Sequence, residues 1–593
     1  MHHEKLKTLN DLREMIMQID MQPNRKRDMA SAITRLCEML QRSPKTLDLD
    51  PSKLRILIKT IRPVMHGISP KTLSNIRALV GAALVIAGEL EPVARGVAKR
   101  DVAWRGLVQA IATDHELVSG LAAFMNWCAS NGSNPEDVCD STLREFLDWL
   151  ETRTLHPNPR ELTRRVPILW TRARESVTGW PTTNLTRLSF KAPSQRWPWD
   201  QLSTEFRQGV EAYIAKRQKP DLFDESDRAP RRPLSSKTLH LHRQQLHTAA
   251  SVLIRSKAIS AKDITLEFLV RPEPFKAVLR GLLDQVAKRL AASRHNPSDV
   301  RDIGNTPPVN AFAISTAQTL IQVARYHAKV SDEELNALRR WASKLTPVPL
   351  DLTEKNKRLL RQLEVPETQA RLLFLPERLQ AAVAVDLKRG RLRSVDAQIA
   401  LAIDLQIALP MRPQNLSALD WRRHFTDLGG SAGLRIHIPA AETKGKKRDI
   451  AAEIPPEVAA RLNWYRHHIL PRLDADENGP LFVTLGGHQK DQKTLAVQMI
   501  KVIERDVGVH MTPHQFRHFA AVLYLEKNPN DFETVRCLLG HAFAKTTRIY
   551  AGSSTARAGR AYGDFLYERK DELRPPNLGT RRRSSFHSAN PGG

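Results

Sequence analysis

The stretch 512–550, TPHQFRHFAAVLYLEKNPNDFETVRCLLGHAFAKTTRIY, holds side chains that could act on a phosphodiester. His514, Arg517 and His541 are hydrogen-bond donors that can carry positive charge. Such donors stabilise the negative charge that builds on the non-bridging oxygens during attack at phosphorus. Tyr550 offers a hydroxyl that can act as a covalent nucleophile, although a phenol with a pKa of about 10 needs a base or a cationic pocket. The stretch therefore indicates phosphoryl transfer.

Local signals predict a helix that positions the first two of these residues. Thr512 is a good N-cap, Pro513 suits the first helical position, and Gln515 stands where a capping box has Gln or Glu. A helix that begins here would place His514 and Arg517, three positions apart, on one face.

A second short helix is predicted to end at Gly540, which leaves His541 in a turn. The motifs HQFRH and LLGH, with Tyr550 nine positions after His541, resemble the C-terminal signature of the tyrosine recombinases, the phage integrase family.

Two upstream motifs extend this resemblance. Arg412 in ALPMRPQNLSALDW resembles the family's first arginine box, and Lys444 in AETKGKKRDI resembles the lysine of its β-hairpin turn. The sequence departs from the family pattern at Asn415, where Glu is usual, and at 409–411, where Leu-Pro-Met replaces Thr-Gly-Leu. An amide forms hydrogen bonds but cannot hold an arginine as a carboxylate does, so the departure concerns the orientation of Arg412.

The resemblance implies a role for each matched residue. Arg412, Arg517 and His541 would bind the scissile phosphate, and Tyr550 would attack phosphorus to form a 3′-phosphotyrosine. Lys444 would protonate the departing 5′-oxygen, and His514 would assist proton transfer at the tyrosine. The expected catalytic set is Arg412, Lys444, His514, Arg517, His541 and Tyr550. Neighbouring cations expected to contact the DNA are Lys446, Lys447, Arg448, Lys545 and Arg548.

A metal site is an alternative interpretation of the same region. His510, His514 and His518 recur every four residues, which could align them on a helix. However, the predicted helix begins after His510, and the sequence has neither an H-E-x-x-H motif nor a cysteine cluster nearby. His518 instead resembles the family's second histidine. We therefore expect no metal, and the resemblance implies no cofactor, because the phosphotyrosine conserves the energy of the broken bond.

Composition is consistent with a polyanionic partner. The chain has 593 residues and a formal net charge of +27, which favours nucleic acid first and an anionic membrane surface second. No apolar run reaches the length of a spanning helix, and the first residues are too charged for a signal peptide. The four cysteines, Cys37, Cys128, Cys139 and Cys537, lack paired spacing, which fits a reducing cytosol. We expect a cytoplasmic, nucleoid-associated protein; charge alone would fit ribosome association equally.

Hydrophobic periodicity predicts a mainly α fold with a small antiparallel β-sheet or hairpin. Leu434, Ile436 and Ile438 alternate with polar residues as a strand does, and 448–454 is its predicted partner across the turn that holds Lys444. Asp50-Pro51 and Ser69-Pro70 predict helix starts near the N-terminus, and further helices are predicted over 354–363, 376–385 and 394–405.

The predicted organisation is multidomain, with helical N-terminal modules before a C-terminal recombinase-like domain. The proposed boundaries are 1–100, a helical module and candidate DNA-binding arm; 101–194, a second helical module; 195–348, a helical domain like the family's core-binding domain; 349–575, the catalytic domain; and 576–593, a disordered basic tail.

The function that the resemblance implies is site-specific breakage and rejoining of double-stranded DNA, for integration, excision or transposition of a mobile genetic element. Such a protein would act at specific recombination sites as a homo-oligomer, a tetramer, with accessory or partner recombinases as further candidates. A type IB-like topoisomerase or a telomere resolvase would share the chemistry. A non-catalytic DNA-binding scaffold for partner recombinases is the alternative of another class, which the intact residue set disfavours.

Overall fold

The computed structural model divides the chain into two compact units. One comprises Met1–Ser189 together with Asp351–Gly593, and the other is Phe190–Leu350. The predicted module 195–348 falls within the second unit, and the predicted tail lies outside the described residues. The structure describes residues 6–92, 95–190, 194–221, 223, 229–230, 232–293, 310–345, 352–429, 433–443 and 449–540.

The N-terminal part of the first unit is helical. Asp50 accepts a hydrogen bond from the Ser52 N–H at 2.8 Å, and Ser69 accepts one from the Thr72 N–H at 3.0 Å, so both predicted helix starts are confirmed. Its helices are α1 Leu9–Gln18, α2 Pro23–Leu40, α3 Pro51–Thr60, α4 Pro70–Ile86, α5 Val97–Arg100, α6 Val102–Ala110, α7 His115–Ser130, α8 Asp140–Thr152 and α9 Pro159–Ser176.

Two apolar clusters stabilise these helices. One contains Leu12, Ile33 and Val80, and the other is aromatic, with Phe124 and Trp170 edge to face at a centroid distance of 6.1 Å. A 3-10 turn, Pro63–His66, joins α3 to α4.

The second unit has a core of its own. The helices of this unit are α10 Thr204–Gln218, α11 Ser236–Arg255, α12 Leu266–Leu269, α13 Pro272–Ser293, α14 Ala311–Tyr326 and α15 Asp332–Leu345. Phe206, Leu246 and Leu320 lie in its interior. Buried Tyr213 and His242 form a hydrogen bond of 3.0 Å within it, and burial lowers the pKa of His242 to about 4.

The C-terminal part of the first unit surrounds one buried helix, α19. Residues Ala397 to Leu405 of this helix are all buried, which fits a mostly apolar sequence on all sides of the helix. Its polar residues are paired: Asp404 accepts a hydrogen bond from Arg461 at 2.9 Å. The helices are α16 Glu354–Leu363, α17 Pro366–Leu373, α18 Leu375–Lys388, α19 Ser394–Ala408, α20 Pro413–Ser417, α21 Trp421–His424, α22 Pro456–His468, α23 Gln492–Asp506, α24 Gln515–Lys527 and α25 Phe532–Leu538.

A small antiparallel sheet completes this part, in the order β1-β2-β3. Its strands are β1 Phe425–Asp427, β2 Leu434–Ile438 and β3 Ile450–Glu453. In β2 the residues Leu434, Ile436 and Ile438 face the core, and Ile436 pairs with Ala452. The mainly α fold with a small antiparallel sheet is therefore confirmed, whereas β1 was not predicted because a strand of this length shows no periodicity.

Candidate functional site

The first arginine box is a loop held at its carbonyl groups. Gln406, fully buried at the end of α19, donates to the Met411 carbonyl at 3.1 Å, and Arg517 donates to the Pro410 carbonyl at 2.8 Å. Arg412 follows as the N-cap residue of α20. Its side chain is half-buried, and no described residue offers it a hydrogen bond or an ion pair. The loop is therefore fixed while the Arg412 guanidinium is not engaged by the described protein groups.

The HQFRH motif supplies the second arginine, which is buried. Arg517 is 5% exposed on α24. One terminal nitrogen donates to the Pro410 carbonyl and the other to the Leu539 carbonyl. Pro410 lies two residues before Arg412, and Leu539 lies two residues before His541. One guanidinium thus ties the three predicted motifs together, which is the strongest geometric feature of the region.

The two histidines of the motif differ in exposure. His514 is exposed at the N-cap position of α24, and its ring packs edge to face on His518 with centroids 5.5 Å apart. Burial, helped by the nearby charges of His514 and Arg517, lowers the pKa of His518 to about 4. His518 is therefore neutral at pH 7, and it places an uncharged ring beneath the exposed His514.

The helix that carries this motif begins later than predicted. It starts at Gln515 rather than at Pro513. The Gln515 side-chain oxygen accepts from the Thr512 N–H at 2.8 Å and from the Thr512 hydroxyl at 3.0 Å, so that hydroxyl acts as a donor instead of capping the helix. The predicted end of the next helix is confirmed, because α25 finishes at Leu538 and Gly540 has a φ of +56°.

Asn415 connects the arginine box to the base of the predicted lysine turn. Its side chain is 5% exposed and donates to the Glu442 carbonyl at 3.2 Å. Glu442 is fixed further by its carboxylate, which accepts hydrogen bonds from Arg423 and, at 3.0 Å, from His424. Burial opposes the charged form of Glu442, but these two partners outweigh it and hold its pKa below the ordinary value. The Asn415 amide thus fixes the arginine box to the backbone of Glu442.

The other end of the turn is fixed by Asp449. This carboxylate accepts from the Ala440 N–H at 2.7 Å and bonds to His437 at 3.2 Å. The His437 bond, followed by the Ala440 bond, lowers the pKa of Asp449. Residues 444–448 themselves lie outside the described residues, but both of their flanks are held by side-chain hydrogen bonds.

The structure therefore places part of the predicted site. It brings the loop before Arg412 against Arg517, and it places His514 at the start of the same helix. The predicted residues outside the described part of the chain are Lys444, Lys446, Lys447, Arg448, His541, Lys545, Arg548 and Tyr550.

Four supporting residues were missed by sequence reasoning: Gln406, His424, Glu442 and Asp449. Gln406 carries a readable signal, since a glutamine within the apolar run of α19 must find a buried partner. The other three have ordinary surface-type sequence contexts, and only the fold shows their contacts.

Two features are absent from the described residues. These residues contain no group of three or more His, Cys, Asp or Glu side chains arranged to hold a metal ion. In the same part of the chain, no helix combines the length and the apolar character that a membrane crossing needs.

Comparison with known proteins shows which family the C-terminal part resembles. The phage integrase family model matches residues 377–557. The tyrosine recombinase XerC of Chromohalobacter salexigens is 30% identical over 179 residues, which are 30% of this chain and 54% of that protein. XerC of Pseudomonas aeruginosa strain LESB58 is 34% identical over 107 residues, 18% of this chain and 34% of that protein. These matches span about half of the relatives' length or less.

Solved structures give weaker similarities. The crystal structure of XerA recombinase aligns with a TM-score of 0.24 and 18% identity, covering 62% of this chain and 99% of that one. The Tn1549 transposon integrase in complex with transposon right end DNA aligns with a TM-score of 0.33 and 13% identity, covering 60% and 99%. Over residues 377–557, the chain is thus similar to the phage integrase family of tyrosine recombinases.

Proposed function

We propose that this protein breaks and rejoins double-stranded DNA at specific recombination sites through a 3′-phosphotyrosine intermediate. The observation that carries the proposal is the position of Arg517, whose guanidinium bonds to the carbonyls of Pro410 and Leu539. The first arginine box, the HQFRH motif and the end of α25 are thereby held together. The close approach of these segments, which are far apart in sequence, supports a single phosphate site formed from them.

In the proposed reaction, the Tyr550 hydroxyl attacks phosphorus and the bond from phosphorus to the 5′-oxygen breaks. The new bond joins the tyrosine oxygen to the 3′-phosphate. Lys444 gives its proton to the departing 5′-oxygen, and His514 takes the phenolic proton. A 5′-hydroxyl from a second DNA strand then attacks the phosphotyrosine and releases the tyrosine. The number of phosphodiester bonds is conserved, so no external energy source is needed.

The cations have separate tasks in this scheme. Arg412 donates to the non-bridging oxygens, because its side chain is half-buried and unengaged by described groups. Arg517 donates to the Pro410 and Leu539 carbonyls, and together with His541 it contacts the phosphate. Lys446, Lys447, Arg448, Lys545 and Arg548 bind the DNA backbone nearby.

The biological setting follows from the same proposal. We assign the protein to the integration, excision or transposition of a mobile genetic element, as a tetramer on DNA in the cytoplasm. The net charge of +27 supports a DNA partner, with affinity that falls as salt rises. A type IB-like topoisomerase would relax supercoiled plasmid without a specific site, and a scaffold would bind DNA without forming an adduct.

The test uses a suicide substrate, a nicked duplex whose binding sequence the purified protein has selected from a random library. Wild-type protein is expected to form a covalent adduct at the 3′-phosphate, and Tyr550→Phe is expected to form none while binding DNA equally. Lys444→Ala is expected to cleave about 10²–10⁴-fold more slowly, as for loss of a general acid. Replacing the leaving 5′-oxygen by sulfur should restore most of the rate to Lys444→Ala and none to Tyr550→Phe. An adduct formed by Tyr550→Phe would overturn the assignment of the nucleophile.

A further inference from the structure

The 3-10 turn Pro63–His66, between α3 and α4, lies against the C-terminal part of the same compact unit. The surfaces in contact are those of α17, α18 and the end of α23. A shallow groove between them is lined by Val64, Ile68, Leu375 and Leu379. The N-terminal module (the described part of residues 1–100) is therefore packed on the C-terminal part of the unit (the described residues from 352 onward), which is called the recombinase domain below. The contact has three separate chemical components.

The first component is ionic. Arg62 lies 3.3 Å from the Glu504 carboxylate, and His510 bonds to the same carboxylate oxygen at 2.7 Å. Glu504 is in the last turn of α23, and its side chain is only 25% exposed. One oxygen thus connects the N-terminal module to a histidine four residues before His514.

The second component is steric. Gly508 has a φ of +89°, and Met65 lies directly over it. A Cβ at this position would be 2.6 Å from both Cγ and Sδ of Met65 and 3.2 Å from Val64. The left-handed backbone favours glycine here, and an added Cβ would also force the Met65 side chain to shift.

The third component holds the turn itself. Arg371, at the end of α17, donates to the Val64 carbonyl at 3.5 Å and to the Thr368 hydroxyl at 3.1 Å. The turn is thus contacted from two elements of the recombinase domain.

All three components bear on one segment. Residues 507–511 connect α23 to the HQFRH motif, and Val507, Val509 and Met511 are buried in the domain core. Glu504 precedes this segment and bonds to His510 within it, and Gly508 is its second residue. A side chain that fixes this segment therefore also fixes the position of the start of α24, which carries His514 and Arg517.

We propose that the N-terminal module positions the HQFRH motif, with Glu504 as the positioning residue, Arg62 docked on Glu504 and Met65 docked on Gly508. The module then has a second role beside DNA binding: it is a structural part of the catalytic unit. The catalytic consequence rests on the proposed function, whereas the docking contact does not.

The test is made on the full-length chain with Arg62→Glu, Glu504→Arg and the double variant. Arg25→Glu is the matched control, because Arg25 is an exposed cation of the same module that makes the same change in charge. The first readout is hydrogen exchange of the amides of 507–512 without DNA. Both single variants should speed exchange in this segment and Arg25→Glu should not; the charge-swapped pair should recover the part of the protection that comes from the ion pair, but not the part that comes from the bond to His510.

The second readout is the single-turnover cleavage rate at saturating DNA, with the Kd for DNA measured in parallel. Each single variant should cleave about tenfold more slowly, since a misplacement of roughly 1 Å can cost up to about 10²-fold. Its Kd should change no more than that of Arg25→Glu, and the double variant should cleave faster than Glu504→Arg, because only the ion pair is restored. Exchange that is unchanged in all variants would overturn the docking role. Altered exchange with an unaltered cleavage rate would overturn the positioning role, and a wild-type protein without cleavage would reject the proposed function while the exchange result still stands.

Discussion

The two arginines of the site lie in contrasting surroundings. Arg517 is 5% exposed and donates two hydrogen bonds, one to the Pro410 carbonyl and one to the Leu539 carbonyl. Arg412 is half-buried at the start of α20, and no described residue binds its side chain. The same residue type thus holds backbone carbonyls in one place and is left unengaged by the described groups in the other. The neighbouring carbonyls, which no sequence motif displays, make this difference.

The largest expected effect separates catalysis from stability at Arg412. Arg412→Ala should slow single-turnover cleavage by about 10²–10³-fold, as for removal of a donor to developing charge. Its free energy of unfolding should change by less than ~0.5 kcal/mol, because no described contact is lost. Suicide-substrate cleavage and urea unfolding measure the two quantities. A loss of stability above ~2 kcal/mol would show that Arg412, like Arg517, has a structural role, and the proposed difference between the two arginines would be wrong.

Loss of the Arg517 side chain is expected to reduce stability much more than loss of the Arg412 side chain. Arg517→Ala should lower the free energy of unfolding by about 2–5 kcal/mol, because each buried carbonyl left without a donor costs ~1–3 kcal/mol. Urea unfolding, with Arg412→Ala as the matched control, gives the comparison. Cleavage should be lost as well, since the two motifs are no longer held together. Equal stability of the two alanine variants would refute a tying role for Arg517.

Asn415 offers a smaller effect that tests the link from the arginine box to the lysine turn. Asn415→Ala should cost about 1 kcal/mol of stability, the typical worth of one hydrogen bond. It should also slow cleavage of the normal substrate more than cleavage of the substrate with a sulfur leaving group, because the turn carries the proposed acid Lys444. Ser417→Ala, on the same short helix, is the control. An equal slowing on both substrates would mean that Asn415 does not act through the turn.

His518 should give the mildest effect, visible as a pH dependence. Its pKa in the folded protein is about 4, below its ordinary value of 6.5, so the unfolded chain takes up the proton more readily. The stability contributed is complete above pH 6.5 and is lost as the pH falls from 6.5 towards 4. Urea unfolding across this window should show a shallower decline in His518→Phe than in the wild type. Parallel declines would show that His518 is not the titrating group.

Much of the fold could be predicted because its signals are local. Apolar periodicity located α16, α18 and α19, and the alternation of Leu434, Ile436 and Ile438 located β2. Glycine predicted the end of α25. The start of α24 was misplaced, since the Thr512 hydroxyl is taken by the Gln515 side chain. Whether the Thr512 hydroxyl caps the helix or bonds to the Gln515 side chain depends on the surrounding structure, and the cap pattern in the sequence does not show which of the two forms.

The sequence by itself determined the resemblance to the tyrosine recombinases, the set of candidate catalytic residues and the helical character, because residue types at fixed spacing carry that information. Only the tertiary structure decided what the described residues contact. It turned Arg517 towards backbone carbonyls, used Asn415 as a clamp on the Glu442 carbonyl, and placed Met65 on Gly508. These contacts join positions far apart in the chain, and they form when burial forces each polar group to find a partner and each backbone to find room. Such pairings depend on packing, and packing is a property of the whole domain.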